Sequence, residues 1–171
     1  MRIPDSVTEI GERAFSGCKS LTNIELLSHI TRIGIETFEG CSKLSGIDIP
    51  NNVTRIEGSA FYDCLSLSSI IIPNNVEYID HEAFNNCSSL STIIIPSSII
   101  FLGDEAFFGC TALNRITILS HDVQLGKICI GYYRDDEGLY KKNTNLVIEG
   151  YTGSTAEQYA KENYFKFVTL D

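Results

Sequence analysis

Ala14-Phe15-Ser16-Gly17-Cys18 opens a pattern that returns at a fixed interval along this chain. A phenylalanine followed three residues later by a cysteine recurs every 23 residues, at Phe38 with Cys41, Phe61 with Cys64, Phe84 with Cys87 and Phe107 with Cys110. A fixed period of about 20 to 50 residues is typical of solenoids and other repeat arrays. The repeat therefore decides the fold, and every local feature is interpreted within it.

Each unit begins at a leucine and contains two apolar columns that predict a short strand with one buried face. These columns are Ile24, Ile47, Ile70, Ile93 and Ile116, and then Leu26, Ile49, Ile72, Ile95 and Ile118. Proline has no N–H to continue a ladder, so prolines in the next column end each strand: Pro4, Pro50, Pro73 and Pro96. A second apolar pair in each unit, such as Val53 and Ile56, predicts the return side of the coil.

This pattern, L-x-x-I-x-I-P-x-x-V-x-x-I-x-x-x-A-F-x-x-C, resembles the BspA-type leucine-rich repeat family over residues 1 to about 133. The resemblance implies a curved leucine-rich repeat solenoid, mainly β, with a parallel sheet on one side and short strands and turns on the other. It also implies the usual occurrence of that family, as surface or secreted proteins of bacteria and some parasites with adhesive or protein-binding roles. A lone coil buries too little apolar surface to be stable, so the units depend on stacking.

The composition of the 171 residues is that of a globular domain, with 43% hydrophobic residues and a formal charge of -9. An acidic surface argues against nucleic acid or an anionic membrane as the partner. No apolar run is long enough for membrane insertion, and Met1 leads directly into repeat sequence without a signal peptide. The first unit is incomplete, which predicts either further repeats on the N-terminal side of the full-length protein or a frayed first coil.

Five of the six cysteines occupy the same place in successive repeats: Cys18, Cys41, Cys64, Cys87 and Cys110. Equivalent residues in stacked coils project in parallel, so we expect these thiols to pack as small buried hydrophobic groups. Disulfides between adjacent coils are the alternative, because neighbouring strands lie about 4.8 Å apart.

The period weakens after Leu125. Cys129 takes the place of Ala, Ile130 that of Phe and Tyr133 that of Cys, which ends the array at residue 133 and leaves 134–171 as an irregular last coil and C-terminal cap. Residues 134–145 are predicted to be a charged excursion with about seven inserted residues. Ser154 and Glu157 have the spacing of a capping box, which predicts a helix over about 155–163 followed by a closing strand over 165–170. The segment 150–163 also resembles the one that often closes BspA-type arrays.

Groups suited to catalysis are few, and we expect neither an enzyme nor a cofactor. His29 and His121 occupy a turn column on the surface, and His81 lies beside acids on an outer turn. A Cys129–His nucleophile pair is a minor hypothesis, because the Ala column is buried. No spacing suits zinc or calcium. Two acceptor patterns for glycosylation begin at Asn52 and Asn86.

Binding is favoured over catalysis because the outward strand positions form rows on the concave face. The predicted ligand-binding residues in those rows are Asn23, Glu25, Asp48, Ser69, Ile71, Thr92, Ile94, Arg115 and Thr117. Ile71 and Ile94 interrupt the mostly small and polar rows and are predicted to anchor a partner, although β-branched residues also suit strands for their own propensity. A rival patch comprises outward residues of the return side and residues after the repeated Phe: Tyr78, Ile100, Phe101, Tyr62 and Phe108.

The sequence thus predicts a solenoid of five to six coils that binds a protein or surface glycan as an adhesion or protein-binding module on a cell surface or in a secreted protein. Its targeting segment would then have been removed or lie upstream. A structural spacer that carries another domain is one alternative. An intracellular scaffold is another, and it fits the free cysteines equally well.

Overall fold

A computed structural model describes residues 1–4 and 6–170 of the chain. In this part of the chain, short strands and one helix follow each other in the order β1 (Arg32–Ile33), β2 (Arg55–Ile56), β3 (Tyr78–Ile79), β4 (Thr92–Ile95), β5 (Phe101–Leu102), β6 (Arg115–Ile118), β7 (Gln124–Leu125), β8 (Tyr132–Arg134), β9 (Tyr140–Lys142), β10 (Val147–Gly150), α1 (Thr155–Glu162) and β11 (Lys166–Thr169). They wind into a β-solenoid of about six turns, as the repeat predicts.

Two parallel sheets run along the solenoid. The return side carries the order β1-β2-β3-β5-β7, and each pair is in register at the 23-residue period, as with Ile56 against Ile79. The strand side carries β4, β6, β10 and β11. In the earlier coils the strand side is reduced to single bridges, which link Glu25 to Asp48 and Asp48 to Ile71.

The third side of each coil, which we call the turn side, is built from turns that hydrogen-bond to the next coil. The N–H of Phe38 donates to the carbonyl of Ala60 at 2.8 Å, and the N–H of Phe61 donates in the same way to Ala83. Two turn columns have positive φ in these five coils, one with Arg13, Glu36, Ser59, Glu82 and Glu105 and the other with Gly17, Gly40, Asp63, Asn86 and Gly109, where glycine, aspartate and asparagine recur. These residue types tolerate the left-handed region best, so the second column has a conformational reason that the apolar pattern did not reveal.

The core is one continuous apolar cluster to which each coil contributes the predicted positions. Rings of Phe15, Phe38, Phe61, Phe84 and Phe107 stack face to face with centroids 5.1 to 5.4 Å apart. The six cysteines are free, and the four from Cys41 to Cys110 are buried. The expectation for Cys18 was wrong, because no coil covers it in this structure and its side chain is exposed.

The last coil differs from its expected register. Ile148 pairs with Ile116, 32 residues earlier, so the coil contains nine extra residues where the sequence predicted about seven. The extra segment includes the antiparallel hairpin of β8 and β9, in which Lys141 is exposed. The hairpin also corrects the placement of Phe108, which is buried because the Tyr140 ring packs edge-on against it at 5.8 Å.

The helix α1 closes the solenoid where the capping box predicts it. The hydroxyl of Ser154 accepts from the N–H of Glu157 at 3.3 Å, and the Glu157 carboxylate accepts from the N–H of Gly153 at 2.7 Å. Ala156, Tyr159 and Ala160 form the buried face of the helix. β11 then pairs in parallel with β10, so the closing strand is confirmed.

Candidate functional site

The outward residues of the strand side form two adjacent rows, which we call the strand face. The first row follows the ladder from Thr92 to Arg115, Val147 and Lys166, and is extended at the repeat period by Asn23, Gly46 and Ser69. The second row contains Arg2, Glu25, Asp48, Ile71, Ile94, Thr117, Glu149 and Val168. All nine sequence-predicted binding residues lie in these two rows.

A shallow groove of about 290 Å³ crosses the N-terminal half of the strand face. Asn23, Asp48, Ser69 and Ile71, four of the predicted residues, line it. Gly46 forms part of its floor, and a Cβ added there would meet only the carbonyl oxygen of Ser69 at 3.9 Å. The groove is therefore deeper because Gly46 has no side chain. The sequence alone did not predict this role for Gly46.

Ile71 and Ile94 are the most exposed apolar residues of the strand face, at 80% and 58%. Their coils are adjacent, so the two side chains form a small apolar step next to the groove. Glu25 and Asp48 precede them in the same row and Thr117 follows, so the acids lie on one flank of the apolar step. An apolar step beside carboxylates suits a ligand with an apolar and a basic group.

Arg115 and Thr117 are less available than the sequence predicts. A carboxylate oxygen of Glu149 pairs with the guanidinium of Arg115, and its other oxygen accepts from the hydroxyl of Thr117 at 2.7 Å. The nine-residue insertion removed Glu149 from the 23-residue period, so sequence reasoning missed it. The alternation of Val147, Ile148 and Glu149 was the signal that places it on this face.

The rival patch is divided between two sides of the solenoid. Tyr78 is half-buried, and the guanidinium of Arg55 lies 4.2 Å above its ring. Ile100 is 51% exposed and Phe101 is half-buried on the same return side. Tyr62 and Phe108 belong to the turn side, so they cannot contribute to one surface with Tyr78.

The described residues do not bring together a catalytic group. Cys129 is fully buried, and burial raises the pKa of its thiol to about 12, so it is not a nucleophile at neutral pH. The three histidines are exposed, as predicted. Within residues 1–4 and 6–170 no group of three His, Cys, Asp or Glu is placed to hold a metal ion.

A parallel-stranded solenoid with one exposed strand face defines the chain as a leucine-rich repeat protein. The model of the BspA type leucine-rich repeat region matches residues 1–114 with six copies. The chain therefore belongs to the BspA-type leucine-rich repeat family. A comparison with curated proteins finds no match.

Solved structures agree with this assignment. The leucine-rich repeat protein TpLRR of T. pallidum is 26% identical with a TM-score of 0.71, and the match covers 98% of this chain and 84% of that one. The pneumococcal vaccine antigen PcpA is 20% identical with a TM-score of 0.69, over 100% of this chain and 41% of that one. A leucine-rich cell surface protein of Faecalibacterium prausnitzii is 23% identical with a TM-score of 0.58, over 90% and 55%.

In the part of the chain that the structure describes, no helix has the length and apolar character needed to span a membrane. The only helix there is α1, with eight residues.

Proposed function

We propose that this chain is a protein-binding or adhesion module of a cell-surface or secreted protein and that it binds its ligand on the strand face. The observation that carries the proposal is the pair Ile71 and Ile94, exposed by 80% and 58% beside a groove of about 290 Å³. Leucine-rich repeat solenoids typically bind proteins rather than catalyse reactions.

The energetics of the strand face favour recognition. Its rows are held by single bridges in the earlier coils and by a parallel ladder in the later ones, above a packed core, so the backbone beneath these side chains is already ordered before binding. Burying the two isoleucines against a partner would remove apolar surface from water, which is the usual source of affinity at an interface hot spot. The carboxylates of Glu25 and Asp48 would then select a partner with basic groups beside its apolar anchor.

The surface location rests on likeness to other proteins. Among the solved relatives, one is called a vaccine antigen and another a cell surface protein. This chain spans 41% and 55% of those two chains, so we propose the role of a module and not of a whole protein. We also propose that residues 1–133 form the binding array and residues 134–171 its C-terminal cap.

The test is capture of surface proteins by the immobilised chain. An extract of labelled host or bacterial surface proteins is passed over the wild type, over Ile71→Ser/Ile94→Ser and over Gly46→Tyr, and the retained proteins are quantified by mass spectrometry. We expect the same retained proteins to fall roughly tenfold in both variants, because one loses the apolar step and the other fills the groove.

Two matched controls address non-specific effects. Ile100→Ser removes another exposed isoleucine, 51% exposed, from the return side, and Thr31→Tyr adds a tyrosine there, where Thr31 is exposed. Capture should survive both changes. Equal losses in the controls and the test variants would contradict binding at the strand face.

The second candidate is a structural spacer or an intracellular scaffold that presents another domain, and the free cysteines fit the scaffold equally well. If the chain is a spacer or a scaffold, the immobilised wild type should retain no more surface protein than an unrelated solenoid retains. A signal peptide or anchor in the full-length gene would exclude the scaffold, and a neighbouring catalytic domain would favour the spacer.

A further inference from the structure

A second groove, of about 610 Å³, lies on the turn side, where the third to fifth coils meet the hairpin of β8 and β9. We call it the turn-side groove, and the residues that matter to its chemistry are Tyr62, Glu82, Asn85, Glu105, Tyr133 and Arg134, whose guanidinium donates to the carbonyl of Gly138 and to the hydroxyl of Tyr140. It shares no residue with the strand face. The groove thus combines carboxylates with aromatic walls on a separate surface of the solenoid.

The two carboxylates of this groove have only neutral partners. Glu82 accepts from the hydroxyl of Ser59 at 3.2 Å, and Glu105 accepts from the side-chain amide of Asn85 at 3.5 Å. Among the described residues neither carboxylate forms an ion pair. They occupy the same column of adjacent coils and both line the groove, so one cation placed between them can pair with both.

The same column shows which cation fits. Two coils before Glu82, in the same column, Glu36 receives the Arg13 guanidinium in a two-point contact, with Nε to Oε2 at 2.6 Å and a terminal nitrogen to Oε1 at 2.8 Å. Arg13 occupies this column in the coil before Glu36, and its hydrogen bond lowers the pKa of the Glu36 carboxyl. Before Glu82 the column holds Ser59, and before Glu105 it holds Glu82. The guanidinium is therefore supplied by the chain at Glu36 but not at Glu82 or Glu105.

The aromatic walls suit the same kind of group. Tyr62 and Tyr133 line the groove, and the hairpin already stacks one guanidinium on an aromatic ring, with Arg134 lying 4.1 Å from the centroid of Tyr140. A guanidinium binds well where an aromatic face lies next to a carboxylate. The pKa of the Tyr62 hydroxyl is raised by burial and then by nearby carboxylates, those of Glu82 and Glu105 included.

We propose that the turn-side groove binds an arginine side chain of a partner protein, with its guanidinium between Glu82 and Glu105 and its flat face against the aromatic wall. The planar guanidinium offers five donors and can contact both carboxylates at once, whereas an ammonium is a point charge. This proposal goes beyond the function of the strand face and does not depend on it.

The probe is an acetylated and amidated Gly-Arg-Gly-Arg-Gly peptide, and the matched control peptide replaces both arginines with citrulline, which has the same shape without the charge. Binding to the folded chain is followed by amide chemical shifts in an NMR titration. We expect saturable shifts around Tyr62 and Asn85 with the arginine peptide, and roughly tenfold weaker binding or none with the citrulline peptide.

The variant Glu82→Gln/Glu105→Gln preserves the shape of both side chains and should lower the affinity for the arginine peptide by roughly tenfold. The control Glu77→Gln/Glu162→Gln removes the same charge from exposed sites elsewhere and should leave the affinity within about twofold. The strand-face variant Ile71→Ser/Ile94→Ser should bind the peptide as the wild type does, which separates this proposal from the proposed function.

Three results would overturn the assignment. These are equal binding of the citrulline peptide, an equal loss of affinity in the control variant and the groove variant, and saturation of the groove by calcium alone that Glu82→Gln/Glu105→Gln abolishes. The last result would assign the carboxylates to a metal ion instead of a guanidinium.

Discussion

The thiol of Cys64 donates a hydrogen bond to the carbonyl oxygen of Phe38, 3.2 Å away in the preceding coil. That carbonyl also accepts from the N–H of Cys41 at 3.1 Å. Cys41, Cys87 and Cys110 repeat the contact with the phenylalanine of the coil before them, at 3.1 to 3.3 Å. The cysteine column is thus a ladder of buried donors that ties successive coils together, and not only a set of small apolar groups.

Replacing Cys64 with alanine should lower the free energy of unfolding by about 1 to 3 kcal/mol, because it removes the donor and leaves a small cavity. Cys64→Ser keeps a donor and should cost less than the alanine variant. Denaturant unfolding followed by circular dichroism measures both. Cys18→Ala changes an exposed thiol and should remain within about 0.5 kcal/mol of the wild type. A serine variant no more stable than the alanine variant would mean that the thiol acts only by packing.

Burial of the thiols also predicts a dependence of stability on alkaline pH. The pKa of Cys110 rises in the folded chain from 9.0 to about 12 because burial disfavours the thiolate. Above pH 9 the unfolded chain loses this proton while the folded chain keeps it, so the folded state loses stability as pH rises from 9 through 12. Below pH 9 the contribution is constant.

The measurement is the difference in unfolding free energy between the wild type and Cys110→Ser at several pH values. Between pH 9 and pH 10.5 this difference should move in favour of the serine variant by about 1.4 kcal/mol per pH unit, since serine does not ionise in this range. At pH 7 to 8 it should be flat. A difference that stays constant through pH 10.5 would rule out the folded pKa near 12.

The stacked rings lead to a prediction about position in the array. Phe61 is fully buried between Phe38 and Phe84, with centroids 5.3 and 5.2 Å away, whereas Phe15 is half-buried and stacks on Phe38 alone. Phe61→Ala should therefore cost about 3 to 5 kcal/mol and Phe15→Ala clearly less. Because each coil of a repeat array is stabilised by its contacts with the adjacent coils, Phe61→Ala should also broaden or split the denaturant unfolding transition. Equal costs at both positions would show that the ring ladder does not couple the coils.

The sequence predicts the repetitive part of the fold because each apolar column has one physical meaning. The prolines end strands, and in four coils the proline carbonyl accepts from the N–H three residues later, as Pro73 does from Val76 at 3.1 Å. The Phe column is the core, and Ile130 bridges to Phe107 at the place its register predicts. Because the coils of a solenoid repeat, a correct interpretation of one coil predicts the structure of the others that keep the period.

Prediction failed where a residue depends on something outside the period. Phe108 is covered in part by the inserted hairpin, because the Tyr140 ring packs edge-on against it. Glu149 reaches Arg115 only after nine extra residues shift its register, and no local pattern fixes that number. The rows of the strand face can be predicted from the alternation of buried and outward residues along each strand. The groove cannot, because it depends on the lack of a side chain at Gly46 alone.

Two glycines can be compared to separate a glycine that is required by a positive φ from one whose surroundings merely have room for a side chain. Gly40 belongs to the turn column at φ +67°, and a Cβ there would meet nothing closer than 3.7 Å. Gly46 on the strand face lies outside the positive-φ region and has similar room. Gly40→Ala should therefore cost about 1 to 2 kcal/mol from the left-handed backbone alone. Gly46→Ala should be neutral or stabilise the chain by about 0.5 kcal/mol, because alanine has less backbone entropy to lose. The midpoints of urea unfolding compare the two variants directly. If both cost the same, the turn column does not require its left-handed residues, and the recurrence of Gly, Asp and Asn there would need another explanation.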